Sequence, residues 1–203
     1  MTETTKQQVF LIDDDEAVRD AMGLLLESSG LSYCSFALAS DFLDHYSGDL
    51  RGCLVLDIRM PSMDGLELQS LLKEQNSTLP IIFITGHGDI PMAVEAMRLG
   101  ALDFMRKPVN ELSLLQAINQ AMSHETDIRK QTSDIQQSKL KFDSLTQREQ
   151  QIFERVTEGQ ANKSIAFDLG ISERTVEVHR AQVMKKLDVT TLAQLVRLKI
   201  LLE

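Results

Sequence analysis

Short apolar runs alternate with amphipathic segments through the first half of the chain. Each run is rich in β-branched and aromatic residues and ends at turn-forming residues, which is typical of a buried strand. We predict five such strands, at residues 9–12, 33–36, 54–56, 81–84 and 102–105. The segments between them carry apolar residues at helical spacing, for example Val18, Met22, Leu25 and Leu26. Five alternations of strand and helix predict an α/β fold, in which helices cover both faces of a five-stranded parallel sheet.

The pattern becomes purely helical after Pro108. Apolar residues then recur every seven positions: Leu114, Ala121, Ile128, Ile135 and Phe142. The accompanying positions turn polar after Ile118, so we interpret residues 125–141 as a largely exposed helical linker that is able to pair weakly with a second copy. A disordered linker rich in Gln, Ser and Lys is the alternative that the sequence leaves open.

Four helices are predicted beyond the linker, at residues 147–158, 162–169, 173–187 and 191–202. Asn162 is placed to cap the second of these helices and Ser172 the third, with Gly170 at a left-handed position between them. A helix, a short glycine-containing turn and another helix predict a helix-turn-helix. The chain therefore divides into three predicted parts, which are residues 1–124, the linker at 125–141 and an all-α domain at 142–203.

Charge is distributed unevenly along the chain. The 203 residues include 30 acidic and 21 basic side chains, and residues 1–124 hold 18 of these acids against 8 bases. Residues 142–203 hold 9 of each, so the net negative charge belongs to the first part. This asymmetry indicates two modules with different partners. A neutral module can still bind a polyanion when its bases cluster on one face.

Several classes of protein are excluded by composition. An apolar fraction of 43% with 25% charged residues is typical of a packed globular protein, not of a disordered chain or a fibre. No apolar run approaches the ~20 residues of a transmembrane helix, and the polar, acidic start lacks the pattern of a secretory signal. We therefore expect a soluble, cytoplasmic protein with no membrane partner. Cys34 and Cys53 lack metal-ligand spacing and are interpreted as small buried thiols.

Four predicted strands end in, or lead to, residues suited to phosphate chemistry. Asp13 and Asp14 follow the first strand, Asp57 follows the third, Thr85 ends the fourth, and the fifth leads to Lys107. The carboxyl ends of parallel strands meet at one edge of a sheet, so these side chains should converge. Two carboxylates about 5 Å apart repel by roughly 3 kcal/mol at an effective dielectric constant of 20, and Mg²⁺ would remove that cost. Asp57 is the candidate nucleophile toward phosphorus, giving an aspartyl phosphate.

A family resemblance is carried by four segments: IDDDEAVRD, LVLDIRMPSMDG, IIFITGHGDIPMAVEAMRLGA and DFMRKP. They resemble the receiver domains of two-component response regulators, most closely those of the FixJ type, over roughly residues 6–124. The resemblance implies a flavodoxin-like (βα)5 fold and a sensor histidine kinase as phosphodonor. The residues to which it gives a role are Asp57 as phosphoacceptor, Asp13, Asp14 and Asp57 with the Arg59 backbone carbonyl as Mg²⁺ ligands, and Thr85 and Lys107 at the phosphoryl group.

The same resemblance implies a switch residue and a dimer face. Phe104 matches the aromatic switch position, which is expected to turn inward as Thr85 moves toward the phosphate; simple core packing explains an aromatic residue there equally well. Lys107 to Pro108 matches a peptide bond that is usually cis in receivers. The implied symmetric dimer face comprises residues 92–99, 102–106 and 111–122.

Other polar residues near the predicted site are given ordinary roles. Asp15 and Asp64 are interpreted as turn residues and helix caps. His87, in the turn after Thr85, is interpreted as a loop residue and not as a general base. The histidine that matters in a receiver belongs to the partner kinase, which donates the phosphoryl group.

The predicted helix-turn-helix has an apolar side and a charged side. Its core is expected to include Ile165, Leu169, Ile171, Val176, Val183 and Leu187. The residues left outward are Arg174, Glu177, Arg180, Ala181, Lys185 and Lys186. An α-helix fits the DNA major groove, where Arg reads guanine and Thr or Val contacts a thymine methyl, while Lys more readily meets phosphates. An ordinary solvated helix explains the same charges without DNA.

A second resemblance favours DNA. The segment SLTQREQQIFERVTEGQANKSIAFDLGISERTVEVHRAQVMKKLDV is similar to LuxR-type DNA-binding domains, and the similarity spans nearly all of residues 144–203. The residues expected at DNA are Asn162, Lys163, Arg174, Thr175, Glu177, Val178, Arg180, Ala181 and Lys185. Glu177 departs from the lysine common in the wider family, which argues against a phosphate contact and leaves cytosine reading open. His179 is expected to be a structural hydrogen-bonding residue.

Together the two resemblances imply a FixJ-like transcriptional response regulator that is not an enzyme. Phosphorylation would promote a homodimer that binds promoter DNA through two helix-turn-helix motifs, with RNA polymerase as a further partner. One alternative is a Mg²⁺-dependent phosphohydrolase that turns over small phosphate esters through an aspartyl phosphate. Another is an adaptor whose terminal helices bind protein, which salt-sensitive binding to duplex DNA would exclude.

Overall fold

The computed structural model describes residues 6–86 and 90–202. Within these residues the chain forms five strands and nine helices. The strands are β1 (Gln8–Ile12), β2 (Tyr33–Phe36), β3 (Gly52–Leu56), β4 (Ile81–Thr85) and β5 (Asp103–Arg106). The helices of the first half are α1 (Glu16–Ser28), α2 (Ala39–His45), α3 (Gly65–Glu74) and α4 (Ile90–Leu99). They are followed by α5 (Glu111–Asp143), α6 (Gln147–Thr157), α7 (Asn162–Leu169), α8 (Glu173–Leu187) and α9 (Leu192–Leu202).

The strands form one parallel sheet in the order β2-β1-β3-β4-β5. This confirms the predicted α/β architecture, and the strand ends differ from the predicted ones by at most two residues. The register aligns the carboxyl ends of the central strands, since Ile12 of β1 pairs with Leu56 of β3. Thr85, the last residue of β4, pairs with Arg106 of β5. The residues that follow each strand therefore emerge at one edge of the sheet.

Alternate residues of each central strand pack into different cores on the two faces of the sheet. Phe10, Leu54 and Phe83 pack with α2, α3 and α4. Val9, Val55 and Ile82 lie on the opposite face with α1 and α5. Because both faces are covered, β1, β3 and β4 are almost continuously buried.

The two cysteines are free thiols. Cys53 lies in the core beneath α1 and α5, and burial raises the pKa of its thiol to about 12, so it stays protonated and unreactive. Cys34, on the edge strand β2, is only half-buried. The prediction of a buried thiol is therefore confirmed for Cys53 and holds only in part for Cys34, because an edge strand lacks a neighbour on one side.

Helix α5 is continuous through the region predicted to be the linker, so the disordered alternative is wrong. Its middle is held to the sheet domain by Glu125, whose side chain is fully buried. Arg51 pairs with this carboxylate at 3.1 Å, Arg129 pairs with it one turn further along α5, and Gln7 donates to it at 2.7 Å. The guanidinium of Arg129 also donates to the Leu50 carbonyl.

The chain packs as two units that divide between Arg129 and Lys130. The division falls beyond residue 124 because the contacts of Glu125 and Arg129 belong to the first unit. The second unit has its own apolar core, to which Ile152, Ile165, Val176 and Val183 contribute. In residues 6–86 and 90–202, every helix is too short or too polar to span a lipid bilayer.

Candidate functional site

Parallel register brings Asp13 and Asp57 to the same edge of the sheet. Each follows a strand directly, and the two strands are neighbours. Their backbones are fixed by the ladder, since the amide of Asp57 donates to the Ile12 carbonyl at 2.9 Å. Asp13 is 1% exposed and Asp57 is 8% exposed. Both acids are thus rigidly placed and largely withdrawn from water.

Lys107 reaches this pair from the turn after β5. Its Nζ donates to Asp13 Oδ2 at 2.6 Å and to Asp57 Oδ2 at 2.9 Å. The peptide bond from Lys107 to Pro108 is cis, as predicted, and the Lys107 amide donates to the Thr85 carbonyl at 2.9 Å. The structure therefore brings together three residues that lie far apart in the sequence.

Burial and charge act against each other at these groups. Burial raises the pKa of Asp13 above its ordinary value, although Lys107 and the amide of Asp15 act in the opposite direction. Burial alone would lower the pKa of Lys107, but hydrogen bonds to the two carboxylates outweigh it and raise the pKa. Lys107 is therefore held as an ammonium ion between Asp13 and Asp57.

Asp14 adds a third carboxylate to the group. One ligand oxygen from each of Asp13, Asp14 and Asp57 lies within 4.8 Å of the others. Asp14 is exposed, whereas the other two acids are buried. One ammonium ion cannot neutralise three carboxylates, so this donor set suits a hard divalent cation. The contact found for Arg59 is through its amide, which donates to Asp57 Oδ1 at 3.3 Å; coordination by its carbonyl stays a prediction.

Thr85 and Phe104 have the positions that the sequence predicted. Thr85 is fully buried at the end of β4. Phe104, beside Phe83 in the sheet, is half-buried and packs against the core that includes α3 and α4. A switch and a core residue are both compatible with that position. His87 lies outside the described residues.

Sequence reasoning missed Arg19. Its guanidinium reaches back from α1 and donates to the backbone carbonyl of Asp13 at 2.8 Å. Asp15 caps α1 by accepting from the Ala17 amide, and Asp64 caps α3 in a capping box with Glu67, so both predicted cap roles are confirmed. The Asp64 box has a sequence signature, whereas no local pattern links Arg19 to a carbonyl in a loop.

The second unit contains the predicted helix-turn-helix. Helix α7 ends at Gly170, which has left-handed backbone angles, and Ser172 caps α8 by accepting from the Thr175 amide. Asn162 is not the cap of α7, because Ala161 occupies that position and Asn162 is the first helical residue. That prediction was wrong by one residue, and Asn162 instead accepts a 2.6 Å hydrogen bond from Arg180.

The exposed side of α8 carries most of the residues predicted to contact DNA. Arg174, Glu177, Val178, Ala181 and Lys185 are exposed, opposite the buried Val176, Val183 and Leu187. Lys163 is exposed on α7, and Thr175 is half-buried beside Ser172. Arg180 is half-buried because its guanidinium bonds to Asn162.

Lys186 does not face outward, contrary to the prediction. Its Nζ forms a 2.7 Å salt bridge with Glu149, a buried residue of α6. Glu149 also closes a capping box with Thr146, a pattern that Thr-x-x-Glu in the sequence would have revealed. Burial alone would raise the pKa of Glu149, but Lys186 and Thr146 outweigh it and hold the pKa below its ordinary value.

Two family models match the chain. Residues 9–119 match the response regulator receiver domain, and residues 143–199 match the bacterial regulatory proteins of the luxR family. The TodT response regulator of Pseudomonas putida is 46% identical over 93% of this chain and 83% of its own length. The transcriptional regulatory protein FixJ of Bradyrhizobium diazoefficiens is 44% identical over 96% of this chain and 95% of its own length.

Solved structures give the same answer. The response regulator StyR matches with a TM-score of 0.86 and 46% identity over 97% of this chain and 99% of StyR. Full-length FixJ from B. japonicum matches with a TM-score of 0.59 and 42% identity over 98% of both chains. The fold and the acidic strand ends define a receiver domain joined to a LuxR-type domain. The chain belongs to the two-component response regulators that act as transcription regulators, among which FixJ and TodT are relatives.

Proposed function

We propose that Asp57 accepts a phosphoryl group from a sensor histidine kinase, and that this modification controls the binding of promoter DNA by residues 142–203. The observation that carries the proposal is the contact of one ammonium group, Lys107 Nζ, with both Asp13 and Asp57. A nucleophilic carboxylate at the end of a central strand, with a fixed cation beside it, suits phosphoryl transfer.

In the transfer, an oxygen of Asp57 forms a bond to phosphorus while the P–N bond of the kinase phosphohistidine breaks. The imidazole leaves with the electron pair of that bond and takes up a proton. Oδ1 of Asp57 accepts from the Arg59 amide and Oδ2 accepts from Lys107, so the carboxylate is oriented before the donor arrives. Lys107 is placed to donate to the phosphoryl oxygens as negative charge moves onto them. Thr85 is the second residue that we assign as a donor to the phosphoryl oxygens.

Asp13, Asp14 and Asp57 fit Mg²⁺, with the Arg59 carbonyl as a further ligand in this proposal. The three carboxylates crowd together while Lys107 supplies a single positive charge, and burial raises the pKa of Asp13. When bound, the cation would neutralise negative charge shared by the carboxylates and the phosphoryl oxygens. The protein itself acts as acceptor and not as a turnover enzyme, since its product remains attached to Asp57.

Phosphorylation replaces the single negative charge of the Asp57 carboxylate with the roughly 1.5 to 2 negative charges of a phosphoryl group, and it adds three acceptor oxygens. In the proposal, Thr85 moves toward the phosphoryl group, Phe104 turns inward, and the face of residues 92–99, 102–106 and 111–122 forms a homodimer. Two helix-turn-helix motifs then engage two half-sites of a promoter, where RNA polymerase becomes a further partner. A kinase phosphodonor and chromosomal DNA as partners both imply a cytoplasmic location.

DNA contact is proposed for one side of the helix-turn-helix. Exposed residues on α8 are assigned to the major groove, and the first turn of α7 is assigned to the backbone. The assigned residues are Asn162, Lys163, Arg174, Thr175, Glu177, Val178, Arg180, Ala181 and Lys185. Asn162 and Arg180 already bond to each other, so we assign them to the DNA backbone as a unit.

The acceptor half of the proposal is tested by incubating the protein with acetyl phosphate and Mg²⁺ and measuring its intact mass. The wild type should gain one phosphoryl group, and removal of Mg²⁺ with a chelator should abolish the gain. Asp57→Asn should gain none, whereas Asp44→Asn, which changes an exposed acid of α2, should react like the wild type. Equal labelling of Asp57→Asn and wild type would refute the assignment.

The DNA half is tested by footprinting a promoter library before and after phosphorylation. Binding should tighten on phosphorylation and should weaken steeply with salt, because cationic side chains displace counterions from phosphates. Lys163→Gln should lower the affinity for all duplexes and reduce the salt slope by about one. Binding that is insensitive to both salt and phosphorylation would contradict this half alone.

A further inference from the structure

An acidic side chain stands on the surface of α8 that is assigned to DNA. Residues separated by three, four and seven positions share one face of a helix. On α8 this face carries Arg174, Glu177, Val178, Ala181 and Lys185, and it lies opposite the buried Val176 and Val183. The Glu177 side chain on this face is 52% exposed. A lone carboxylate there would repel a polyanion, so its presence needs a chemical reason.

The carboxylate is paired with the arginine one turn earlier. Nη1 of Arg174 donates to Glu177 Oε2 at 3.1 Å, and the Arg174 side chain is 84% exposed. An exposed pair of this kind contributes little to stability. The effect of the pair is on geometry, because the contact limits the positions that the long Arg174 side chain can take. The contact uses Nη1, so the Nε and Nη2 edge of the guanidinium keeps its donors for another partner.

Base chemistry then decides what the two side chains can recognise together. In the major groove guanine presents two acceptors, O6 and N7, and its partner cytosine presents the N4 amino donor beside them. A guanidinium edge matches the two guanine acceptors, and a carboxylate matches the cytosine donor. Phosphates, guanine O6 and thymine O4 are acceptors and cannot bond to an ionised carboxylate.

We infer that Arg174 and Glu177 read a single G·C base pair as a couple. Arg174 contacts guanine through Nε and Nη2, while Glu177 holds Arg174 in place and accepts from the cytosine amino group. The inference rests on the proposed binding of DNA by α8, and it goes further by stating which base pair this end of the helix selects. The position of the two residues supports the inference, because both lie in the first two turns of α8. These turns are the part of a recognition helix that reads base edges.

The test is selection of binding sites from a randomised duplex library by the full-length protein, phosphorylated with acetyl phosphate and Mg²⁺. The wild type should select a G·C pair at one position of each half-site, and replacing that pair should weaken binding about tenfold or more. Glu177→Ala, which removes the acceptor oxygens, should still bind the selected site but should lose most of this discrimination. Arg174→Lys should lose it as well, because an ammonium cannot form the two parallel bonds.

Glu173→Ala is the charge-matched control, since Glu173 is an exposed acid in the first turn of α8. This variant should change the affinity for every duplex by the same factor and leave the selected sequence unchanged. The inference is overturned if Glu177→Ala behaves in that same way, or if Arg174→Lys selects the wild-type sequence. Failure of the wild type to bind any duplex would overturn the proposed DNA function together with this inference, whereas binding without the G·C preference would overturn the inference alone. Thermal melting of each variant checks that the fold is intact.

Discussion

Glu125 joins the middle of α5 to the receiver through a fully buried carboxylate. A fully buried carboxylate is tolerable only with partners, and Arg51, Arg129 and Gln7 supply them from three parts of the chain. Sequence reasoning treated Glu125 as the first polar position of an exposed linker. The error has a physical cause, since long-range partners of a charged residue leave no periodic signal.

Removal of this carboxylate should destabilise the receiver. Glu125→Ala leaves two arginine side chains without their shared partner, and breaking a buried pair in this way costs about 3 kcal/mol or more. Urea unfolding followed by circular dichroism measures the loss. Asp127→Ala changes an exposed acid of the same helix and should alter the free energy of unfolding by less than about 0.5 kcal/mol. Equal losses in the two variants would show that Glu125 is not an anchor.

Glu149 makes the stability of the second unit depend on pH. Its pKa is lowered in the folded state, chiefly by Lys186 and Thr146 acting against burial. A lowered folded pKa stabilises the fold above the ordinary value of 4.5, and this contribution is lost as the pH falls below it. The wild type should therefore be more stable than Glu149→Gln at neutral pH, and the difference should shrink below about pH 4.5 in urea unfolding. A difference that is independent of pH would contradict this account.

Among the elements, α3 is positioned by a close approach to the strand end that carries Asp57. A Cβ atom on Gly65 would lie 2.5 Å from the backbone oxygen of Asp57 and 2.9 Å from the Phe83 ring. The first turn of α3 therefore tolerates only glycine at this contact, which follows the Asp64 cap.

Gly65→Ala should displace α3 or the loop that follows β3. Overpacking of this kind costs about 1 to 3 kcal/mol, and the same displacement should slow phosphorylation of Asp57 by acetyl phosphate. Mass spectrometry over time gives the rate, and urea unfolding gives the stability. Gly48→Ala is the matched control, because a Cβ atom there meets nothing within 4 Å. Normal labelling and stability of Gly65→Ala would show that the backbone yields without consequence.

The helices and strands were largely predictable because their signals are local. Strands β1, β3 and β4 are continuous apolar runs, as buried parallel strands are, and Gly170 and Ser172 mark the turn between α7 and α8. The acidic site was predictable for a different reason, because the carboxyl ends of parallel strands meet at one edge of a sheet. The prediction for Lys186 was wrong because the helical periodicity of α8 cannot reveal a partner on α6.

At the scale of the whole molecule, two units with separate cores share one chain. The receiver has a core on each face of its sheet, and the second unit has a core of its own. Each core excludes water independently, so the two units need not unfold together.

Scanning calorimetry should therefore resolve two unfolding transitions. Millimolar Mg²⁺ should raise the temperature of the receiver transition alone, because a ligand stabilises the unit that binds it. Asp13→Asn should reduce this shift, and duplex DNA should raise only the other transition. A single transition that responds to both ligands would contradict the independence of the units.

The exposed stretch of α5 from residue 130 to residue 140 has a consequence for how such regulators diversify. Glu125 and Arg129 belong to the receiver, while Phe142 stacks edge-on against Phe153 in the DNA-binding unit, with ring centroids 5.1 Å apart. A recombination breakpoint between Arg129 and Phe142 separates the two units without dividing either core. Gene fusions that join a foreign sensory front end at this stretch should therefore yield chimeras in which both halves keep their native interiors.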